Sequence, residues 1–111
     1  MLVAFLALTW TVAAVGEEIA YRGFVFTRVT EVAGTGVLGT VSAVVLSSAL
    51  FGFVHVEQGT IGVVVTFLDA ILFSVLRLRY RTLWAAVLAH GFNNTIGLVA
   101  LYLIGPVHGL W

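Results

Sequence analysis

Residues 1–15, MLVAFLALTWTVAAV, carry no charge, and then Glu17, Glu18 and Arg22 fall within about one and a half helical turns. The chain returns at once to apolar residues. Read for such runs, it divides into apolar segments of about Leu2 to Thr30, Val41 to Val56, Thr60 to Leu78 and Leu83 to Ile104. The breaks between them are short. EVAGTGVLGT, residues 31–40, holds three glycines and reads as a loop. EQG, residues 57–59, reads as a tight turn, and RLRYRT, residues 77–82, as a cationic turn. Thr40 is expected to cap the second segment, and Gly105-Pro106 to stop the fourth. The runs are continuous rather than alternating, and turn signals are too sparse for a barrel. Each run lies near the roughly 20 residues a spanning helix needs, the first being long and the second short. The expected fold is therefore all-α: an integral membrane bundle of about four transmembrane helices, forming a single domain over residues 1–111.

Composition agrees with this reading. Of 111 residues, 61% are hydrophobic and 9% charged, where a soluble domain carries about a quarter charged. Mean hydropathy is +1.15. Net charge is zero and no basic run occurs, which argues against a nucleic-acid partner. With no cysteine, disulfides, thiolate metal sites and cysteine nucleophiles are excluded. All five cations are arginine. Three crossings separate the 31–40 loop from the 77–82 turn, so both lie on one side of the bilayer. Arg28, Arg77, Arg79 and Arg81 cluster there, and the positive-inside rule makes that side cytoplasmic. Tyr80 and Trp84 would mark that interface, and Trp10 and Tyr102 the opposite one.

The polar residues inside the runs share a level. Measured from the arginine-bearing end at 1.5 Å per residue, Glu17 lies about 20 Å deep, His55 about 22 Å, His90 about 13 Å and Asn94 about 19 Å. That range brackets the middle of a roughly 30 Å hydrocarbon layer, where polar groups must face one another or a water-filled cavity. Glu18 and Arg22 are i, i+4 with the acid first, the better order for a pair. Their pairing leaves Glu17, about 100° round the helix, available. His90 and Asn94 are also i, i+4, as are Phe51 and His55. A glutamate in a partly dry pocket can take a proton from water. A histidine can hold that water, and a histidine with an amide can donate to the oxyanion of a tetrahedral intermediate. The chemistry that fits is hydrolysis without a serine or cysteine nucleophile.

Three motifs stand in order along the chain: EEIAYRG fits E-E-x-x-x-R, FGFVH (residues 51–55) fits F-x-x-x-H, and HGFNN (residues 90–94) fits H-x-x-x-N. On hydrophobic helices, this ordered set resembles the CPBP family, which includes type II CAAX prenyl endopeptidases and the bacterial Abi and bacteriocin self-immunity proteins. The resemblance covers roughly residues 14–98. It implies an intramembrane endopeptidase with a glutamate-activated water. Glu17 would be the general base, His55 would orient and activate the water, and His90 and Asn94 would stabilise the oxyanion. Glu18 and Arg22 would support the site, with Phe51 packing on the helix that presents His55. No metal is expected, since H-E-x-x-H is absent; were zinc bound, Glu17, His55 and His90 would be its ligands. Implied partners are the lipid bilayer and a peptide or protein substrate, a lipidated one included. The implied place is the cytoplasmic membrane, with the site opening toward the cytoplasm. Family members usually carry further membrane helices, so the chain reads as the core of a larger CPBP-type helical fold, truncated at its N-terminus.

Each feature also has a plainer reading. Glu18–Arg22 alone would be a bundle-holding salt bridge, His55 a helix-end histidine and Asn94 interhelical glue. Asn93 is expected to point elsewhere, as a packing or capping residue. Glu57 is expected among headgroups and His108 in a solvated tail. Gly16, Gly23 and Gly91 are expected to permit close helix approach. Asp69, a mid-helix acid outside the three motifs, is expected to neutralise Arg22 across helices. Two further functions compete with the enzyme: a non-catalytic immunity or partner-binding protein on the same scaffold, and a small transporter or proton relay.

Overall fold

The computed structural model describes residues 1–106; His108 lies outside the described residues. Four long helices form in the places the apolar runs indicate: α1 (Leu2–Ala33), α2 (Val37–Phe53), α3 (Gly59–Tyr80) and α4 (Leu83–Ile104). Three helices, counting the one-turn Val56–Gln58 segment with α3, are long and apolar enough to cross a membrane, while α2 is a shorter apolar helix of 17 residues. Strands are absent among the described residues.

The boundaries follow local chemistry. α1 runs past Thr30 to Ala33 and stops at Gly34, whose φ of 90° suits glycine. α2 then starts at Val37 with Gly36 as its N-cap. Thr40 is not the cap: it lies in the first turn, where its hydroxyl reaches the Thr35 carbonyl at 3.4 Å. The predicted cap lost because the short connection lets the helix begin a turn earlier. α2 also ends earlier than expected, at Phe53, so His55 stands just beyond the helix rather than within it. Arg81 turns the chain in the left-handed region, φ 56°. Thr82 then caps α4, its hydroxyl accepting from the Trp84 N–H at 3.3 Å.

α1 departs most from expectation. Over Thr9–Glu17 and again over Ile19–Val25 its turns are wide and π-helical, with the Phe26 N–H reaching back to the Tyr21 carbonyl. Nothing in the apolar pattern announces this. Short connections make sequential helices antiparallel neighbours. α2 packs on α3, α3 on α4, the N-terminal half of α1 on α4 and its C-terminal half on α2. The loop before α2 and the Arg81–Thr82 turn therefore share one end of the bundle, and the 54–58 turn lies at the other.

Burial is inverted relative to a water-soluble domain. Ala14, Ala43, Ala70 and Ala86 are fully buried beside Phe26, Phe51 and Phe73, and with them lie Glu18, Arg22, Ser47, Ser48, Ser74 and His90. The exposed faces carry valine, leucine, isoleucine and phenylalanine. Small residues at the contacts and polar groups inside an apolar exterior are how helices pack in lipid, where burial of apolar surface drives nothing. The protein is a multi-pass membrane protein. Tyr80, Trp84 and Tyr102 are exposed near helix ends, as interfacial aromatics are.

Trp10 is not a free interfacial anchor. It lies half-buried on α4, its indole N–H donating to Thr95 Oγ1 at 3.1 Å and its ring edge-on to Phe92 at 5.2 Å. The slot exists because residue 91 is glycine: a Cβ there would come 2.5 Å from Trp10 Cζ3. Of the three glycines expected to permit close approach, Gly91 alone does so. A Cβ at Gly16 would meet nothing nearer than 3.8 Å, and one at Gly23 nothing nearer than 3.6 Å, both ordinary contacts.

Two outcomes follow. Gly91→Ala displaces Trp10 and destabilises the bundle by about 1–3 kcal/mol, to be read as a lowered thermal midpoint in detergent. The chain has no cysteine, so Thr35→Cys and Glu57→Cys can each be challenged singly with a membrane-impermeant maleimide. In intact cells only one of the two is expected to react, and the other only after the membrane is permeabilised.

Candidate functional site

The sequence motifs converge on one buried carboxylate. Glu18 and Arg22 are both fully buried, and Arg22 Nη1 donates to Glu18 Oε1 at 3.1 Å. The same oxygen takes a second bond, from His90 Nδ1 on α4, at 2.8 Å. A carboxylate paired with a guanidinium only accepts, so Nδ1 is the nitrogen that carries the proton. The His90 ring is fixed from both sides, stacked on Phe73 of α3 at 5.0 Å and edge-on to Phe51 of α2 at 5.7 Å. Arg22 is held by the same two aromatics, its guanidinium 4.6 Å from the Phe51 ring centre and 5.4 Å from that of Phe73. One acid, one cation, one imidazole and two phenyl rings thus tie all four helices together.

Glu17 has a different environment. Its side chain is 33% exposed, and its Oε2 lies 3.8 Å from His90 Nε2, the nitrogen left over by the bond to Glu18. It borders a cavity of about 560 Å³ that His55, His90 and Asn94 also line. His55 reaches this cavity from just past the end of α2. Its Nδ1 is 2.7 Å from the Phe51 carbonyl, which can only accept, so Nδ1 donates and Nε2 is left free. Its ring lies 4.7 Å from Phe51. Phe51 is more than a packing residue on α2. It touches Tyr21, Arg22, His55 and His90 together.

All the residues singled out from the motifs therefore meet. Asp69 does not fulfil its expectation: it lines the cavity and accepts from Asn93 Nδ2 at 2.9 Å. Arg22 is already neutralised within its own helix by Glu18, which leaves Asp69 nothing to neutralise there. Asn93, expected to point away, lines the cavity beside Asn94. Phe73 was missed outright. Its signal was available, for Asp69 and Phe73 are i, i+4 on α3 and so share a face.

The cavity also lies elsewhere than expected. Thr9, Ala13, Gln58, Thr66, Gly97 and Leu101 line it, all from the half of the bundle away from the arginine-bearing turn. It therefore extends from the Glu17–His90 pair toward the end opposite the arginine-bearing turn. The reason is the level of Glu17 in α1, whose N-terminal half flanks the C-terminal half of α4. A separate hollow of about 540 Å³ near the α3–α4 turn, lined by Arg77, Arg81 and Thr82, holds none of the motif residues. Among the described residues, no three His, Cys, Asp or Glu side chains lie together so as to hold a metal ion.

Around one recess stand an accessible carboxylate, two imidazoles with a free Nε2 and an amide, with a sequestered ion pair behind. Comparison with known proteins bears on it. A family model described as type II CAAX prenyl endopeptidase Rce1-like matches residues 1–96. No curated protein and no solved structure matches the chain. The matched span contains every motif residue from Glu17 to Asn94, and the chain belongs to the Rce1-like family of type II CAAX prenyl endopeptidases.

Proposed function

We propose that the protein is an intramembrane, glutamate-dependent endopeptidase that hydrolyses peptide bonds in membrane-associated substrates. The observation that carries the reading is the division of labour between adjacent acids: Glu18 is sealed in an ion pair, while Glu17 borders the cavity 3.8 Å from His90 Nε2. A base must reach both solvent and substrate, and Glu17 meets that requirement.

In the proposed reaction, a water in the cavity is held by Glu17 and by the free Nε2 of His55. Glu17 takes a proton as the water oxygen bonds to the scissile carbonyl carbon. The negative charge gathers on the carbonyl oxygen, where the Asn94 amide donates. His90 Nε2 joins it once it carries a proton, its ring held by Glu18 and the two phenyl rings. Collapse of the intermediate breaks the C–N bond, and the proton taken by Glu17 passes to the departing amine. No metal takes part in this scheme. Phe51, by positioning both imidazoles, fixes the distance between water activation and oxyanion binding.

Purified protein in nanodiscs, offered a library of membrane-anchored fluorogenic peptides, tests the reading. Glu17→Gln is expected to lower cleavage by about 10²–10⁴-fold while the thermal midpoint stays close to that of the wild type. Cleavage that survives Glu17→Gln rejects the assigned base, and loss of cleavage on adding a chelator rejects the metal-free scheme. Glu18→Gln is expected to behave differently. It leaves Arg22 buried without its anion and destabilises the fold by about 3–5 kcal/mol, seen as a large drop in thermal midpoint alongside the loss of activity.

A further inference from the structure

Asp69 is the eleventh residue of the 22 in α3, midway along a membrane-crossing helix. A carboxylate at that depth calls for a compensating positive charge. The fully buried acid has its counter-charge within the chain: Glu18 pairs with Arg22. Asp69 has a single amide, Asn93 Nδ2 on Oδ2 at 2.9 Å. Among the described residues, its Oδ1 has no hydrogen-bond partner and no arginine lies within ion-pair distance. The cavity it borders is lined by two carboxylates, Glu17 and Asp69, and by no arginine or lysine. A recess whose acidic groups are all of one sign favours an entering cation.

Resting on the endopeptidase reading above, we propose that Asp69 selects the substrate: it receives an ammonium or guanidinium side chain of the peptide, so the preferred substrates carry lysine or arginine near the scissile bond. Asn93 acts as a positioning residue. By donating to Oδ2 it holds the carboxylate plane and presents Oδ1 to the incoming cation. The geometry separates this task from catalysis, since Asp69 enters the cavity from α3 whereas the base and its imidazole partner enter from α1 and α4.

The test uses paired membrane-anchored fluorogenic peptides that differ only in lysine or norleucine at each position around the scissile bond. At one position, the wild type is expected to cut the lysine member with a kcat/KM about tenfold above that of its norleucine twin. Asp69→Asn is expected to bring that ratio close to one, with the change entering through KM, and Asp69→Glu to restore part of it. A wild-type ratio of one at every position overturns the proposal, as does a ratio that Asp69→Asn leaves unaltered. Fluorescence anisotropy in a Glu17→Gln background supplies the second measurement. There Asp69→Asn should weaken binding of the lysine peptide about tenfold and leave the norleucine peptide unaffected. Equal loss for both peptides means that Asp69 and Asn93 merely strap α3 to α4, and sinks the proposal. Selective binding of the lysine peptide without any cleavage by the wild type would count against the endopeptidase and leave the cation site standing.

Discussion

A single oxygen atom organises this bundle. Glu18 Oε1 accepts from Arg22 on its own helix and from His90 on α4, in surroundings where an unpaired charge costs about 2.5–3.5 kcal/mol even on the lenient insertion scales. Once that charge is placed there, much else is constrained. Arg22 needs aromatic faces on the side that Glu18 leaves open, and Phe51 and Phe73 supply them from α2 and α3. The same two rings then bracket His90. Position, orientation and tautomer of the histidine all follow from the buried acid, and the nitrogen that faces Glu17 follows from the tautomer.

Adjacent glutamates thus come to differ in kind. Their side chains are chemically identical and their backbones are neighbours, yet one is inaccessible and doubly bonded and the other borders a cavity. The separation comes from helix rotation: consecutive residues point in different directions, so one can face three helices while the next faces the cavity. Setting the two side by side places a structural anion and an accessible one within reach of the same imidazole. The fixed charge orients the imidazole that faces the accessible one.

The helices themselves were legible because lipid imposes a coarse code. Long apolar runs broken by glycine or arginine have few other solutions, and α4 has the span that its pattern indicated, Leu83–Ile104. The motif residues were legible because polar groups in such runs are costly, so each one is a signal. What escaped the sequence depends on contacts between segments far apart in the chain. Nothing local to Asp69 says that its partner is Asn93, 24 residues on, rather than Arg22. Nothing local to Trp10 says that the slot at Gly91 will take it from the interface. Thr40 misled for the converse reason: its cap propensity is real, but Gly34 and Gly36 make so tight a connection that the helix has already begun.

The wide turns of α1 belong to the same account. Thr9–Glu17 and Ile19–Val25 flank Glu18, which stands between them. Such turns are rare and occur mostly as single-turn pieces inside α-helices, often at functional sites. An isolated apolar helix would have no reason to adopt them. Here the backbone is held from outside itself, by Glu18 and Arg22 locked against α4 and the two phenyl rings on one side, and by Trp10 seated on Gly91 and Thr95 on the other. Between these two anchors the spacing along α1 must match the spacing along α4 from Gly91 and Thr95 to His90. Wide turns are a means by which a continuous helix can adjust that register without a break that would leave backbone groups unpaired in lipid. The irregularity of α1 is on this view a consequence of the site it carries, imposed by long-range pairing and therefore invisible to any window of sequence.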